Sequence, residues 1–294
     1  MSTQPYQDLY WRSRDGLALY ARDYPAATDK TLGRCPVICI PGLTRNSADF
    51  DVIARTIAAS GRRVLAVDLR GRARSERATR ASSYNASTYA ADVLELMRGL
   101  AIPCAVFFGT SLGVLVTITA AAKRSAAVAA AILNDAGPEV PKAALERIGK
   151  YAGKPVPPMS RADATAYIGR IGKVPYPRYA QADWAAMVDR LFRVRDDGLL
   201  VLDYDPAVVR TAKPFLLRLL RPLLWRAYRK LAMHRPVLIL RGELSDVLDA
   251  DIAGRMAAVS SGVRLVEVAG VGHAPDLSEP EVRAAVDAFL GAVD

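Results

Sequence analysis

The sequence predicts an α/β domain with a mostly parallel sheet covered by helices on both faces, interrupted by a helical insertion. Three observations carry this. Short apolar runs such as "PVICIPG", "RRVLAVDLRG" and "CAVFFGTS" alternate with helical stretches. Those runs are apolar at successive positions rather than at every second one, as strands buried on both faces must be. The alternation then stops near Glu139 and resumes near Met233.

In chain order, "DGLALYARDY" (15–24) alternates as a half-exposed antiparallel strand does. "PVICIPG" (36–42) is a buried strand, followed by a helix from about Ala48 to Ala59 with Asn46 or Ser47 placed to cap it. "RRVLAVDLRG" leads to a polar loop carrying Arg70, Arg72 and Arg74, and a helix from about Ser87 to Leu100 leads into "CAVFFGTS". A further helix, "AVAAAILND", "PVLILRGE" (236–243), "VRLVEVAG" (263–270) and a helix from about Glu281 complete the pattern. The expected division is a core over residues 1–138, a helical cap or lid over 139–233, and the rest of the core over 234–294.

Composition excludes several classes. The 294 residues are 51% hydrophobic and 24% charged, ordinary globular values. Net charge is +10, yet the 40 Lys and Arg are scattered and meet 30 acids. No zinc-finger spacing or RNA-binding aromatic motif accompanies them, so no nucleic-acid partner is expected. The start has no basic segment followed by an apolar run, so no signal peptide is expected, and a cytoplasmic location follows. Cys35, Cys39 and Cys104 sit in apolar runs and read as buried reduced thiols. Two distant histidines offer no metal set, and no phosphate-cradling glycine motif follows a strand, so no metal or cofactor is expected.

The informative stretch is "FFGTSLGVLVTI" (107–118), which changes from strand to helix at Ser111. Gly109 and Gly113 flank the serine where strand and helix crowd. Such a turn aims the hydroxyl out of the sheet, with the N–H groups of a helix start behind it. A serine needs a base. Of the two histidines, His273 in "AGVGHAPDL" follows the last strand at a carboxyl end, whereas His234 precedes a strand and reads as a helix-end residue. For the carboxylate that orients the base, "LRGELSDVLD" offers Glu243, Asp246 and Asp249; Asp246 is the expected acid, and Asp135 in "ILNDAGPE" is the alternative.

The order Ser111, Asp246, His273 resembles that of the α/β-hydrolase superfamily. "GTSLG", "RGELSD" and "GVGHAP" are similar to its nucleophile, acid and histidine motifs, "PGLTRNSADF" to its oxyanion loop and "DLRGRARS" to the loop after its fourth strand. The resemblance covers about 10–138 and 234–294, and is strongest with bacterial ester-cleaving and carbon–carbon-cleaving members. It implies a sheet of the eight-stranded type, a cap formed by the insertion, and oxyanion donors at the backbone N–H groups of Leu43 and Leu112. Three positions depart from the family pattern: Pro41 stands where many members have His, Val114 replaces a frequent glycine, and Ala73 replaces a loop glycine. Dehalogenases and epoxide hydrolases of this fold place Asp at the nucleophile, so Ser111 argues against both.

The expected activity is therefore hydrolysis of a small apolar carboxylic ester or lactone through an acyl-enzyme. Carbon–carbon cleavage of a diketone by the same residues, or a receptor without turnover, are the alternatives. In the insertion, Tyr179, Trp184, Phe192 and Tyr204 read as pocket lining or cap core, and none of Arg170, Arg178, Arg190 and Arg193 stands out. The segment "KPFLLRLLRPLLWRAYRK" (213–230) carries basic residues and no acid; Pro222 is expected to kink or split it. Its arginines fall on one half of a helical wheel and Leu216, Leu220, Leu223, Leu224 and Ala227 on the other. Two readings stay open: a cap helix with its basic face in water, or an interfacial surface drawing lipophilic esters from anionic membranes. The sequence leaves the oligomeric state undetermined.

Overall fold

In the computed structural model, residues 5–27, 34–210 and 214–293 are described, with the side chains of 214–217 left aside. The chain enters through an antiparallel pair, β1 (Gln7–Arg12) and β2 (Ala18–Tyr24), of which only the second was expected. Then follow β3 (Val37–Ile40), α1 (Asp51–Ala59), β4 (Val64–Asp68), α2 (Ala86–Gly99), β5 (Ala105–Thr110), α3 (Leu112–Lys123) and β6 (Val128–Asn134). The insertion brings α4 (Lys142–Gly149), α5 (Arg161–Gly172), α6 (Gln181–Leu191), a hairpin of β7 (Phe192–Val194) and β8 (Leu200–Leu202), and α7 (Pro214–His234). The core resumes with β9 (Val237–Gly242), α8 (Ala250–Ala257), β10 (Val263–Val268) and α9 (Pro280–Gly291).

Eight strands form one sheet in the order β1-β2-β4-β3-β5-β6-β9-β10. β2 runs antiparallel to β1 and β4, and every other neighbouring pair is parallel. Alternation along the strands decides the layers. Ala105 and Phe107 of β5 join the core under α2, α3, α7 and α8, while Val106 and Phe108 join the core under α1 and α9. Both faces are buried, which is why these strands read as continuous apolar runs.

Asn46 caps the turn before α1, its side chain accepting from the Ala48 N–H. The insertion has a core of its own, in which Trp184, Met187, Val188 and Phe192 pack with Ala164 and Ile168. The hairpin inside it was not legible as strands, since each arm has three residues, too short for a period to show. It clips onto the loop after β4: Ala73 N–H donates to the Asp203 carbonyl and Asp205 N–H to the Gly71 carbonyl.

α7 runs through Pro222 without a break. Its buried face is Trp225, Tyr228, Leu231 and Ala232, which pack into the sheet core. Leu224 and Ala227 are half-buried, but Leu219, Leu220 and Leu223 are exposed, so the apolar half read from the helical wheel is only partly covered. Lys213 lies outside the described residues, as does the side chain of Leu216. Among the described residues no helix is long and apolar enough to cross a membrane. Cys39 is buried, whereas Cys35 and Cys104 are half-buried.

Candidate active site

The carboxyl ends of the parallel strands bring three loops together, as open α/β sheets do. Ser111 follows β5, at the N-cap of α3, in a strained turn with φ 53° and ψ −113°, a region that L-residues with a Cβ rarely enter. The two glycines make it possible. A Cβ on Gly109 would lie 2.3 Å from the Gly113 carbonyl oxygen, and one on Gly113 would lie 2.1 Å from that of Ile40. The Ser111 N–H is held by the Asn134 carbonyl at 2.9 Å, which ties the turn to β6.

His273 lies in the loop between β10 and α9. Its Nε2 is 2.8 Å from Ser111 Oγ and its Nδ1 is 2.7 Å from Asp135 Oδ2. The insertion fixes this loop from the other side. The Gly272 N–H donates to the Pro175 carbonyl at 2.6 Å, and the Tyr176 hydroxyl donates to the Ala274 carbonyl at 2.9 Å. His234 stands at the end of α7, exposed and away from this cluster.

The expected acid, Asp246, is not on His273; the alternative, Asp135, is. Asp135 is fully buried at the end of β6, the strand beside β5. Its Oδ2 also accepts from the Ser245 hydroxyl at 2.6 Å, and its Oδ1 accepts from the Gly242 N–H at 2.9 Å. The "RGELSD" loop thus contributes Ser245 to the carboxylate rather than a carboxylate to the histidine. Asp246 turns outward instead, and Arg147 of α4 grips it from Nε and Nη2 at 2.5 and 2.7 Å. Burial would raise the Asp246 carboxyl, but the hydrogen bonds and charge of Arg147 outweigh it and hold the group below the ordinary Asp value. Glu243 accepts from the Gly270 N–H and Asp249 caps α8, so neither reaches His273.

Leu112 opens α3, so its N–H is among the first-turn donors that a helix leaves unsatisfied. Leu43 lies in the loop after β3, and among the described residues its N–H donates to no acceptor. Its carbonyl is held by Arg72, whose Nε and Nη2 lie 3.0 and 2.9 Å away. The loop after β4 reads as polar, yet its Arg70 and Arg72 are both buried. Arg70 pairs with Asp92 and Asp15, and Arg72 also donates to the Tyr89 hydroxyl and the Arg70 carbonyl. Ala73, standing where the family has glycine, takes φ 41°, a conformation that glycine adopts at less cost.

Two cavities meet at Ser111. One, of about 170 Å³, lies under the insertion and is lined by His273, Tyr176, Tyr204, Arg45, Asp49 and Arg190 among others. Arg190 Nε is buried and has no hydrogen-bond partner among the described residues, with Asp49 Oδ1 3.7 Å away. The other, of about 740 Å³, is lined mainly by apolar side chains and opens beside α7. Of the four aromatic residues singled out in the insertion, Tyr204 lines the smaller cavity; Trp184 and Phe192 belong to the insertion's core, and Tyr179 donates to Asp276. Tyr176 carried no sequence signal that set it apart from these.

Residues 37–286 match the Alpha/beta hydrolase family. The chain belongs to that family. Two curated relatives are similar over most of their length. The α/β hydrolase is 33% identical over 263 residues to the 3-hydroxybutyrate-oligomer hydrolase of Cupriavidus necator, covering 87% of this chain and 88% of the relative. It is 31% identical over 244 residues to the 2-(acetamidomethylene)succinate hydrolase of Mesorhizobium japonicum, covering 82% of each. Among solved structures, an α/β hydrolase from Novosphingobium aromaticivorans superposes with a TM-score of 0.90 at 36% identity, over 99% of this chain and 100% of that one. With hydrolases as relatives over nearly its whole length, the α/β hydrolase is an enzyme of the hydrolase class.

Proposed function

We propose that this α/β hydrolase cleaves a carboxylic ester or lactone through an acyl-enzyme on Ser111. The observation that carries the reading is the unbroken relay from Ser111 Oγ through His273 to buried Asp135, at 2.8 and 2.7 Å. A hydroxyl becomes a useful nucleophile when a positioned base takes its proton, and an imidazole serves when a carboxylate fixes its orientation.

In the proposed reaction, His273 Nε2 takes the Ser111 proton as Oγ bonds to the carbonyl carbon. The N–H groups of Leu43 and Leu112 hold the oxyanion, and Asp135 stabilises the imidazolium. The carbon–oxygen bond to the alcohol then breaks, and the leaving oxygen takes the proton from His273. Water, deprotonated by the same imidazole, attacks the acyl carbonyl and releases the acid, returning the proton to Ser111. The relative named for a 3-hydroxybutyrate oligomer supports ester chemistry, because oligomers of a hydroxy acid are joined by ester bonds.

The test is hydrolysis of p-nitrophenyl acetate and butyrate by the wild type and by Ser111→Ala. Loss of about three orders of magnitude or more in kcat for the variant is the expected result. Turnover that survives in a folded Ser111→Ala overturns the reading.

A further inference from the structure

The two cavities at Ser111 differ in volume and in the reacting residues they border, and the reaction assigns a direction to each. We propose that the 740 Å³ cavity is the acyl-chain site and the 170 Å³ cavity the alcohol site, which makes the substrate an ester of an extended aliphatic acid with a small alcohol. This rests on the proposed ester hydrolysis.

The argument begins at His273. When the tetrahedral intermediate collapses, the bond from carbon to the alcohol oxygen breaks, and that oxygen must receive the proton held on Nε2. The alcohol therefore lies against His273, which lines the smaller cavity and not the larger one. Ser111 and Leu43 border both cavities, whereas Leu112 borders only the larger. With the carbonyl oxygen between the N–H groups of Leu43 and Leu112, the remaining substituent on the carbonyl carbon points away from His273. That direction is the larger cavity.

The lining and volume of the larger cavity agree with the assignment. Leu112 and Leu115, one turn apart on α3, form one wall with Ala136 and Val140; Leu145 of α4 and Val209 stand among the residues of the insertion that line it. Its volume lies within the roughly 300–1,000 Å³ of pockets that enclose a whole small molecule. Leu220 of α7 lies at its edge, and Leu219 and Leu223 beside it are 63% and 62% exposed, so apolar surface continues from the cavity onto the outside of the protein. Glu146, Lys150 and Lys154, all exposed, complete its lining. The smaller cavity is also lined largely by apolar side chains, its charged members Arg45 and Asp49 being paired with each other, and its volume of about 170 Å³ suits a small alcohol rather than a long chain.

The experiment compares methyl octanoate with octyl acetate, in which the same chain sits on opposite sides of the ester. The expected result is a kcat/KM for methyl octanoate at least about tenfold higher, since even one methylene in a fitted pocket is worth about that factor. Val209→Trp and Leu145→Trp, each filling the larger cavity, should lower the ratio of methyl octanoate to methyl acetate turnover. Equal rates for the two octyl esters, or a preference for octyl acetate, overturns the assignment while leaving ester hydrolysis intact. If the folded wild type cleaves no ester, the proposed function fails and binding decides the cavity. Ser111→Ala should then bind a fluorescent aliphatic acid that octanoate displaces, with binding lost in Val209→Trp; no binding to Ser111→Ala overturns the assignment.

Discussion

The buried guanidinium of Arg72 holds the main-chain carbonyl of Leu43 with two hydrogen bonds, from Nε at 3.0 Å and Nη2 at 2.9 Å. Its third nitrogen is anchored to the Arg70 carbonyl and the Tyr89 hydroxyl, at 2.7 and 2.8 Å, and its plane lies 4.8 Å from the Tyr89 ring centroid. A carbonyl held at two points fixes the loop that carries the Leu43 N–H, one of the two donors assigned to the oxyanion. In the proposed reaction Arg72 is thus a positioning residue that acts through Leu43.

Arg72→Lys keeps the charge but cannot grip one oxygen from two nitrogens. It should lower kcat by about tenfold to a hundredfold, less than the loss of an oxyanion donor outright, with KM nearly unchanged. Steady-state kinetics on a p-nitrophenyl ester, beside the thermal midpoint, separates this from unfolding. A variant with lowered Tm and normal kcat would make Arg72 a purely structural residue.

Of the expected acid, Asp246, and its alternative, Asp135, it is Asp135 that meets His273, while Asp246 pairs with Arg147. Asp135→Asn leaves His273 without its carboxylate and should reduce kcat by about three to four orders of magnitude. Asp246→Asn weakens only the pair with Arg147, whose partner carboxylate is 42% exposed, and should change kcat by less than about tenfold. Parallel kinetics of the two variants checks this, and the reverse ranking would return the acid to Asp246.

Much of this architecture was legible because local chemistry and tertiary demand coincide. Gly109, Ser111 and Gly113 announce a turn that only a strand-to-helix crowding requires, and the two-sided apolar strands announce a covered parallel sheet. The acid was not legible, because Asp135 and Asp246 both follow strands at the same edge of the sheet. What separates them is a partner 99 residues away in sequence, Arg147, which draws Asp246 outward. The same holds for Arg70 and Arg72, whose charged ends meet Asp92 and the Leu43 carbonyl, partners outside "DLRGRARS". In α7 the helical period was visible, but which leucines are covered depends on how the helix sits on α3.

Gly113 is where the backbone permits no side chain. Its missing Cβ leaves room for the Ile40 carbonyl oxygen, which would otherwise stand 2.1 Å away with the Pro41 oxygen at 3.2 Å. Both obstacles are main chain, so relief requires α3 to move off β3 rather than a side chain to rotate. Gly113→Ala should therefore cost at least about 3 kcal/mol, at the upper end of overpacking penalties, and should also displace Leu112 and Ser111. Urea denaturation measures the first effect and ester turnover the second. A variant of normal stability and activity would contradict the close approach of α3 to β3.

Asp68, at the end of β4, supplies a pH dependence of folding. Its carboxylate is buried and accepts from the Ser47 and Arg74 N–H groups at 2.7 and 3.1 Å. Burial outweighs those hydrogen bonds and pushes its pKa up to about 6, from an ordinary 3.8. Because the folded value is the higher one, folding favours the protonated acid. The contribution is fully present below about pH 4 and is lost as pH rises through about 6. Its size is on the order of 3 kcal/mol, from a shift of about two units. Asp68→Asn cannot titrate and also gives up an acceptor, so the comparison must be of slopes and not of absolute stability. Urea unfolding of both proteins between pH 4 and 7 should show wild-type stability falling, relative to the variant, as pH rises. Parallel curves would mean that the two backbone donors hold Asp68 ionised throughout, and that its burial is compensated in full.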